Sequence, residues 1–262
     1  HLCSVIDDAE LGITHVIRAE DHVANTAAHV QMFKAIGADV PQFAHTPLLV
    51  DTDGKALSKR LGSLSLEGLR GEGYEAMAIV SLLARLGTSD PIEPFDTIQP
   101  LIDGFDFSKF ARATPRFDTD ALDRLNARIV HDLPFAAVAD RLATLGLGEV
   151  DEAFWQAVRP NLGRLSEIDH WWKVTHEPVQ PNVIDSDFVS HAADLLPAEP
   201  WDAETWSSWI AEVKGATGRK GKNLFMPLRA ALTGEEHGPE LAVLLPLIGR
   251  ERAEARLRGQ SA

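Results

Sequence analysis

The spacing of hydrophobic positions changes twice over the first quarter of the chain. Residues 2–6 carry apolar side chains at helical spacing, whereas residues 14–18 form a short β-rich run. A second helix is predicted next, with Asn25 or Thr26 as its N-cap, because short polar side chains can accept hydrogen bonds from free backbone N–H groups. An apolar, extended run follows at 43–50. This alternation predicts an α/β fold for the segment.

From residue 65 onward the apolar positions recur at helical spacing almost throughout. Prolines interrupt the pattern at Pro178 and Pro181, and again at Pro197 and Pro200. The helices predicted from this spacing cover 77–86, 118–131, 135–147, 151–170 and 240–257. The fold class is therefore predicted to be mainly α, with few strands.

Composition excludes several classes of protein. Hydrophobic residues make up 45% and charged residues 24% of the 262, which is typical of a globular protein and not of a disordered one. No apolar run approaches the roughly 20 residues that span a bilayer, so no membrane partner is expected. The single cysteine, Cys3, can form neither an intrachain disulfide nor a cysteine-based zinc site, which predicts a cytoplasmic, reducing location.

Charge is segregated along the chain. The net charge of −14 argues mildly against nucleic acid as a partner. However, residues 183–208 hold six acids and neither Lys nor Arg, whereas residues 209–232 hold five bases against Glu212 alone. This basic stretch is either a local nucleic-acid-binding face or a solvated loop, and the charge pattern by itself does not separate the two.

Two apparent motifs are rejected. His15, His22 and His29 are spaced by seven residues, which on a helix is about 10.5 Å and too far for two ligands about 2 Å from one zinc ion. Residues 215–223 resemble a phosphate-binding P-loop, but the spacing is one residue too long, and Asn223 stands where Ser or Thr should bind magnesium. The sequence therefore predicts neither a metal site nor a P-loop.

A short basic loop follows the extended run. Residues 53–60 read D-G-K-A-L-S-K-R and place Lys55, Lys59 and Arg60 close to Ser58. Such a loop can hold a triphosphate, because hydroxyl and backbone N–H groups position its oxygens while a lysine meets the charge on departing pyrophosphate. From these residues alone, the alternative is a solvated basic turn.

The surroundings of that loop resemble glutamyl-tRNA synthetases, which are class I aminoacyl-tRNA synthetases. Residues 12–26 contain G-I-T-H-V-I-R-A-E-D-H and then N-T, where the family commonly has G-I-T-H-V-I-R-G-E-D-H-x-x-N-T. Residues 53–60 are similar to the family's D-G-K-K-L-S-K-R, its form of the class I K-M-S-K-S signature. Shorter matches follow in the family's order at 73–74, 83–87, 117–126, 221–229 and 238–241. The resemblance thus runs nearly from end to end.

The resemblance implies a division into four parts. Residues 1–64 correspond to the last portion of a Rossmann-like class I catalytic domain, and residues 65–114 to a helical stem-contact region. Residues 115–182 and 183–262 correspond to two helical anticodon-binding domains. None of the ten histidines begins the H-I-G-H-type signature of class I synthetases. The catalytic domain is therefore expected to be cut, and the chain alone to bind tRNA without being active.

For ATP, the resemblance implies a set of residues in and near the basic loop. Lys59 would stabilise the pyrophosphate leaving group, and Ser58 would help to hold ATP. Ala56 stands where the family usually has a lysine, so one phosphate contact is missing or is supplied by Lys55. Magnesium would accompany ATP, and no metal bound by the protein itself is expected. The implied ATP-binding residues are Ala56, Leu57, Ser58, Lys59, Arg60 and Glu20.

For glutamate, the resemblance implies that Arg18 binds a carboxylate of the substrate, since a planar guanidinium fork fits a carboxylate. Ser4 and His22 would line the same pocket, although Ser4 occupies a position that is often Asn in the family. The alternative for Arg18 is an ordinary ion pair with Asp8 or Asp21.

For tRNA, the basic residues of two segments are the predicted contacts. They are Arg124, Arg128, Arg219, Lys220 and Lys222. The implied partners are glutamate tRNA, glutamate and ATP, and the implied protein is a monomeric ligase. Two alternatives are a non-catalytic RNA-binding helical module and a glutaminyl-tRNA synthetase. The helical spacing of residues 115–262 disfavours the second, whose family continues into β-barrels.

Overall fold

A computed structural model of the chain describes residues 1–55, 57, 65–202 and 204–262. These residues form two compact units, which comprise residues 1–129 and 130–262. Helix accounts for 57% and strand for 6%, so the predicted mainly α fold class is confirmed.

The first unit begins with an α/β segment. Its elements are α1 (Leu2–Glu10), β1 (His15–Ala19), α2 (Val23–Ala35) and β2 (Gln42–Thr46). The two strands pair in parallel, with His15 opposite Gln42. Helices α1 and α2 pack against each other, and Val5 and Phe33 are buried. The opposite face of the sheet is open, since Ile17 of β1 is 49% exposed.

Helix α2 begins earlier than the sequence predicts. A short 3-10 turn, Glu20–His22, runs directly into the helix, so that His22 is the N-cap residue. The prediction of Asn25 or Thr26 as the N-cap is therefore wrong, because both lie inside the first turns of α2. The Thr26 hydroxyl caps no helix and instead donates to the carbonyl of His22 at 3.1 Å.

The other regular elements in the described part of the first unit are helices. Its helices are α3 (Leu66–Gly71), α4 (Ala76–Arg85), α5 (Gln99–Asp103) and α6 (Thr119–Asp132), the last of which ends in the second unit. Ser65 caps α3 by accepting a backbone N–H of the first turn at 2.9 Å. Leu82 of α4 and Leu122 of α6 are fully buried in one hydrophobic cluster. The buried Asn126 accepts the backbone N–H of Glu75 at 2.7 Å, which ties α6 to the start of α4.

The described part of the second unit consists of helices and their connections. The helices are α7 (Phe135–Thr144), α8 (Glu152–Val158), α9 (Ile168–His176), α10 (Ser186–Asp194), α11 (Thr205–Thr217), α12 (Lys222–Thr233), α13 (Leu241–Ile248) and α14 (Arg250–Leu257). Their apolar faces meet in one core that includes the fully buried Trp155 and Trp209.

Two segments predicted as continuous helices are divided. In 151–170, α8 and α9 are separated by two 3-10 turns around Gly163, because Pro160 has no N–H with which to continue an α-helix. In 240–257, the helix stops at Gly249, whose φ of +80° and ψ of 157° are incompatible with a helix. The prediction is wrong at both breaks.

One glycine is required by a close approach. Gly238 has a φ of +143°, and a Cβ atom there would lie 2.0 Å from the ring of Trp171. Any side chain at this position would therefore force the connection between α12 and α13 away from α9.

A buried arginine joins three parts of the second unit. Arg256 of α14 is fully buried, and its guanidinium donates to four main-chain oxygens. The acceptors are Val174 (2.8 Å), Leu232 (2.8 Å), Glu177 (3.0 Å) and Ala262 (2.6 Å). Three of them lie at the carboxyl ends of α9 and α12, where backbone carbonyls lack partners within the helix. Burial lowers the pKa of Arg256 to about 10, so the side chain remains charged at neutral pH.

Candidate active-site and nucleic-acid-binding residues

Arg18 lies near the carboxyl end of β1, the edge of an open α/β sheet at which ligands commonly bind. Its Nη2 donates to the Thr26 hydroxyl at 2.7 Å, and its Nη1 donates to Nδ1 of His29 at 3.4 Å. The guanidinium carbon lies 5.4 Å from the centre of the Phe43 ring. Arg18 is thus held by neutral groups of α2 and β2.

The charge of Arg18 is not balanced by any carboxylate in the described part of the chain. The ion pair with Asp8 or Asp21, the alternative raised by the sequence, is not formed there. The Nε atom is buried without a hydrogen-bond partner. A guanidinium in such surroundings can bind an incoming carboxylate, because no carboxylate among the described residues is already paired with it.

The Thr26 hydroxyl connects Arg18 to the second strand. With its own hydrogen directed to the carbonyl of His22, the oxygen accepts from Arg18 and also lies 2.9 Å from Nε2 of His45. Nε2 of His45 must then carry a hydrogen, since the hydroxyl has no second one to donate. The hydroxyl therefore joins α2, β1 and β2 at one point.

His29 is buried on the other side of the guanidinium. Arginine has only donors, so Nδ1 of His29 must accept, and the imidazole is neutral with its hydrogen on Nε2. That nitrogen lies 2.9 Å from Nδ1 of His1, to which it donates. Burial and the neighbouring Arg18 charge both lower the pKa of His29, which favours this neutral form.

The other residues predicted near the amino acid lie around this group. His22 is half-buried, and its Nδ1 is 3.4 Å from Nδ2 of Asn25. Ser4 is exposed on α1, and no hydrogen bond joins it to Arg18. Glu20 accepts the backbone N–H of Leu48 at 3.3 Å, so it connects the end of β1 to the segment after β2.

The described residues just before the loop at 53–60 and within it make defined contacts. Val50 pairs with the 115–117 segment, accepting from Phe117 at 2.7 Å. The carboxylate of Asp51 accepts the backbone N–H of Lys55 at 2.8 Å across a turn in which Gly54 has a φ of +82°. Leu57 packs against the hydrophobic cluster of the first unit. The other predicted ATP-binding residues of the loop, Ala56, Ser58, Lys59 and Arg60, lie outside the described residues.

Two predicted tRNA contacts lie on α6. Arg124 is 69% exposed and lies 3.6 Å from the carboxylate of Asp118. Arg128, one turn further along, is exposed. The spacing of four residues puts both cations on one face of the helix, where they can contact two nearby phosphates.

The connection between α11 and α12, residues 218–221, and the first residue of α12 carry two exposed lysines and one paired arginine. Lys220 and Lys222 are exposed. Arg219 instead donates to the carboxylate of Asp185 at 2.7 Å, and its guanidinium stacks on the ring of Phe188 at 4.0 Å. That contact lowers the pKa of Asp185. Two lysines are thus available to a polyanion, whereas Arg219 is already paired within the unit.

Reasoning from the sequence missed the partners of Arg18. Thr26 was considered only as a helix cap and as part of a motif, and His29 only as one of three histidines in a rejected metal site. The spacing of Thr26 and His29 by three residues puts them on one face of α2. The sequence carries no signal, however, that this face meets the side chain of Arg18.

No group of three or more His, Cys, Asp or Glu side chains in the described part of the chain is arranged to hold a metal ion. Among the described helices, none is both long and apolar enough to cross a membrane.

Two protein families match separate parts of the chain. Residues 1–124 match the family described as tRNA synthetases class I (E and Q), catalytic domain. Residues 167–260 match the family described as anticodon binding domain. The first match contains Arg18 and the basic loop, and the second contains Lys220 and Lys222.

Similar proteins match the whole chain but only part of themselves. The glutamate–tRNA ligase of Azospirillum brasilense is 58% identical over 262 residues, which cover 100% of this chain and 58% of that protein. Glutamate–tRNA ligase 2 of Methylobacterium sp. strain 4-46 is 54% identical, and 59% of it is covered. A crystal structure of a glutamate tRNA ligase from Elizabethkingia meningosepticum, in complex with its amino acid, has a TM-score of 0.79 and 26% identity. That match covers 97% of this chain and 58% of the other. The chain therefore spans somewhat more than half the length of these relatives.

Proposed function

Because the chain belongs to the class I tRNA synthetases of the E and Q group, we propose that it is part of a glutamate–tRNA ligase. The intact enzyme attaches glutamate to tRNA through a glutamyl adenylate formed from ATP. The ligases named above are 54–58% identical to this chain over its 262 residues, which supports glutamate over glutamine as the amino acid.

The observation that carries this proposal is that Arg18 forms no ion pair among the described residues. The residue lies at the carboxyl edge of the strands, within the motif shared with the family, and its partners there are neutral. A planar fork without an internal counterion suits a substrate carboxylate. In this proposal Arg18 binds a carboxylate of glutamate, and Ser4 and His22 line the pocket around the substrate.

The chemistry of activation is proposed as follows. The carboxylate of glutamate attacks the α-phosphorus of ATP, pyrophosphate leaves, and the terminal ribose of tRNA then accepts the glutamyl group with release of AMP. Lys59 and Ser58 would meet the phosphates, with Ala56, Leu57 and Arg60 completing the loop. Glu20 would act near the nucleotide by fixing the segment after β2, whose backbone it already binds. Magnesium would enter with ATP.

A measurement of glutamate-dependent ATP–pyrophosphate exchange in the presence of glutamate tRNA tests the proposal, and the same tRNA is present in every exchange assay below. We expect exchange by the full-length protein that contains this chain, and none above background by residues 1–262 alone. In the full-length protein, Lys59→Ala should lower the exchange rate by about a hundredfold or more, because the leaving pyrophosphate loses a cation.

The controls of that experiment separate the parts of the proposal. Exchange with glutamine in place of glutamate would indicate the glutaminyl alternative. Absence of exchange by the full-length protein with either amino acid would favour a non-catalytic RNA-binding module. Exchange by residues 1–262 alone would contradict the expectation that they hold only part of the active site.

We further propose that Lys220 and Lys222 bind the tRNA backbone, while Arg219 supports the loop that carries them, and that Arg124 and Arg128 contribute a second contact. The proposed partner is glutamate tRNA. The division into parts at residues 64, 114 and 182, a monomeric state and a cytoplasmic location belong to the same proposal.

The tRNA contact is tested by the salt dependence of binding to residues 1–262. The double replacement Lys220→Gln and Lys222→Gln should weaken binding and reduce the slope of log K against log salt by about 1.5, the effect of two lost phosphate contacts. Lys34→Gln on α2 is a control with the same change of charge per residue. An unchanged slope would show that the loop is only a solvated turn.

A further inference from the structure

Two side chains of helix α2 form hydrogen bonds with Arg18. Thr26 and His29 are three residues apart on one face of the helix, and each accepts a hydrogen bond from one terminal nitrogen of the guanidinium. The hydrogen bonds are 2.7 Å from Nη2 to the hydroxyl and 3.4 Å from Nη1 to the imidazole. Both nitrogens of the fork are therefore fixed by one rigid element.

Thr26 and His29 each have a further polar contact that restricts their own side chains. The Thr26 hydroxyl lies 2.9 Å from Nε2 of His45 on β2, and Nε2 of His29 lies 2.9 Å from Nδ1 of His1. His29 is only 3% exposed, so its ring has little freedom to turn. These contacts give the two acceptors fixed positions before any ligand binds.

We infer that Thr26 and His29 are positioning residues that orient the fork of Arg18 toward the carboxylate of the amino-acid substrate. The inference rests on the function proposed above. Each terminal nitrogen of an arginine carries two hydrogens, so each keeps one N–H for a substrate oxygen after binding its partner on α2. Without the hydrogen bonds to Thr26 and His29, the side chain of Arg18 would be mobile before the substrate binds. It would then lose rotamer freedom on each binding event, which weakens binding.

The neutrality of both partners is part of the arrangement. A carboxylate in place of Thr26 or His29 would also fix the fork, but it would compete with the substrate for the same charge. A hydroxyl oxygen and an unprotonated imidazole nitrogen accept hydrogen bonds without neutralising the cation. The lowered pKa of His29 keeps the imidazole in this accepting form.

The test compares two pairs of variants in the full-length ligase. Thr26→Val and His29→Leu remove the acceptors, whereas Thr26→Ser keeps the hydroxyl and His29→Asn places an amide oxygen near the position of Nδ1. In ATP–pyrophosphate exchange, each removing variant should raise the KM for glutamate by about tenfold, the effect of one lost hydrogen bond to a charged group. The KM for ATP and the kcat at saturating glutamate should stay within about threefold of the wild-type values.

The retaining variants decide between positioning and general support of the fold. If Thr26→Ser and His29→Asn keep a KM for glutamate near that of the wild type, the inference holds. It is overturned if the removing variants leave this KM unchanged, if they raise the KM values for both substrates equally, or if the retaining variants are as impaired as the removing ones. Thr26→Val is nearly isosteric at a half-buried site, so it gives an answer even if His29→Leu does not fold. A wild-type enzyme without glutamate-dependent exchange would instead refute the proposed function.

Discussion

Replacement of Arg18 by glutamine in the full-length protein is expected to lower kcat/KM for glutamate by about a hundredfold or more, because the charged group proposed to bind the substrate carboxylate is lost. The neutral surroundings of Arg18 are the reason for so large an effect. Arg18 is paired with no carboxylate among the described residues, so removal of the guanidinium breaks no internal ion pair. The main effect is therefore expected on the binding free energy of the substrate carboxylate. The measurement is ATP–pyrophosphate exchange with glutamate as the varied substrate.

Two further variants make the Arg18 result specific. Arg18→Lys keeps the charge but not the fork, so it should fall between glutamine and the wild type. Arg112→Gln removes an exposed arginine of the same unit and should leave the KM for glutamate unchanged. A wild-type KM for glutamate in Arg18→Gln would rule out carboxylate binding by this residue.

Replacement of Arg256 by leucine is expected to destabilise the second unit by about 3–5 kcal/mol, because two buried and two partly buried backbone oxygens lose a charged donor. Leucine fills part of the space but offers no hydrogen bond. The carbonyls at the ends of α9 and α12 would be left without partners inside the core. The destabilisation should therefore exceed that of an ordinary surface substitution.

Tryptophan fluorescence during urea unfolding of residues 1–262 measures that effect selectively. All six tryptophans lie between residues 155 and 209, within the second unit, so the signal reports on this unit alone. The control is Arg258→Leu at the C-cap of the same helix, which removes partly exposed ion pairs with Asp194 and Glu254 and should cost at most about 1 kcal/mol. Equal unfolding midpoints for the two variants would show that the carbonyl contacts of Arg256 do not stabilise the unit.

Periodicity predicted the helical elements because burial on one face imposes a period of about 3.6 residues wherever a helix packs on a core. The segments 77–86 and 118–131 correspond to α4 and α6 within one or two residues. Continuity was predicted less well. The break at Gly249 depends on one glycine, and apolar residues on both sides keep the helical period across it.

The residues of the candidate site stay a prediction. Motif order singles out Arg18 and the loop at 53–60, since both belong to short, contiguous segments of sequence. The state of each side chain depends on partners further along the chain, and no local pattern reports it. Arg219 shows the difference: its sequence neighbours suggest a free cation, but Asp185, 34 residues earlier, pairs with it.

The sequence by itself thus determined the mainly helical architecture and the resemblance to the family, and it predicted an α/β segment at the start, because these follow from local periodicity and from contiguous motifs. Only the tertiary structure decided that Arg18 faces Thr26 and His29 and not Asp8 or Asp21, and that Arg256 is buried among carbonyls. The physical reason is the same in both cases. Hydrogen bonds between distant segments depend on how a strand and helices cross, and that crossing is set by the packing of the whole core.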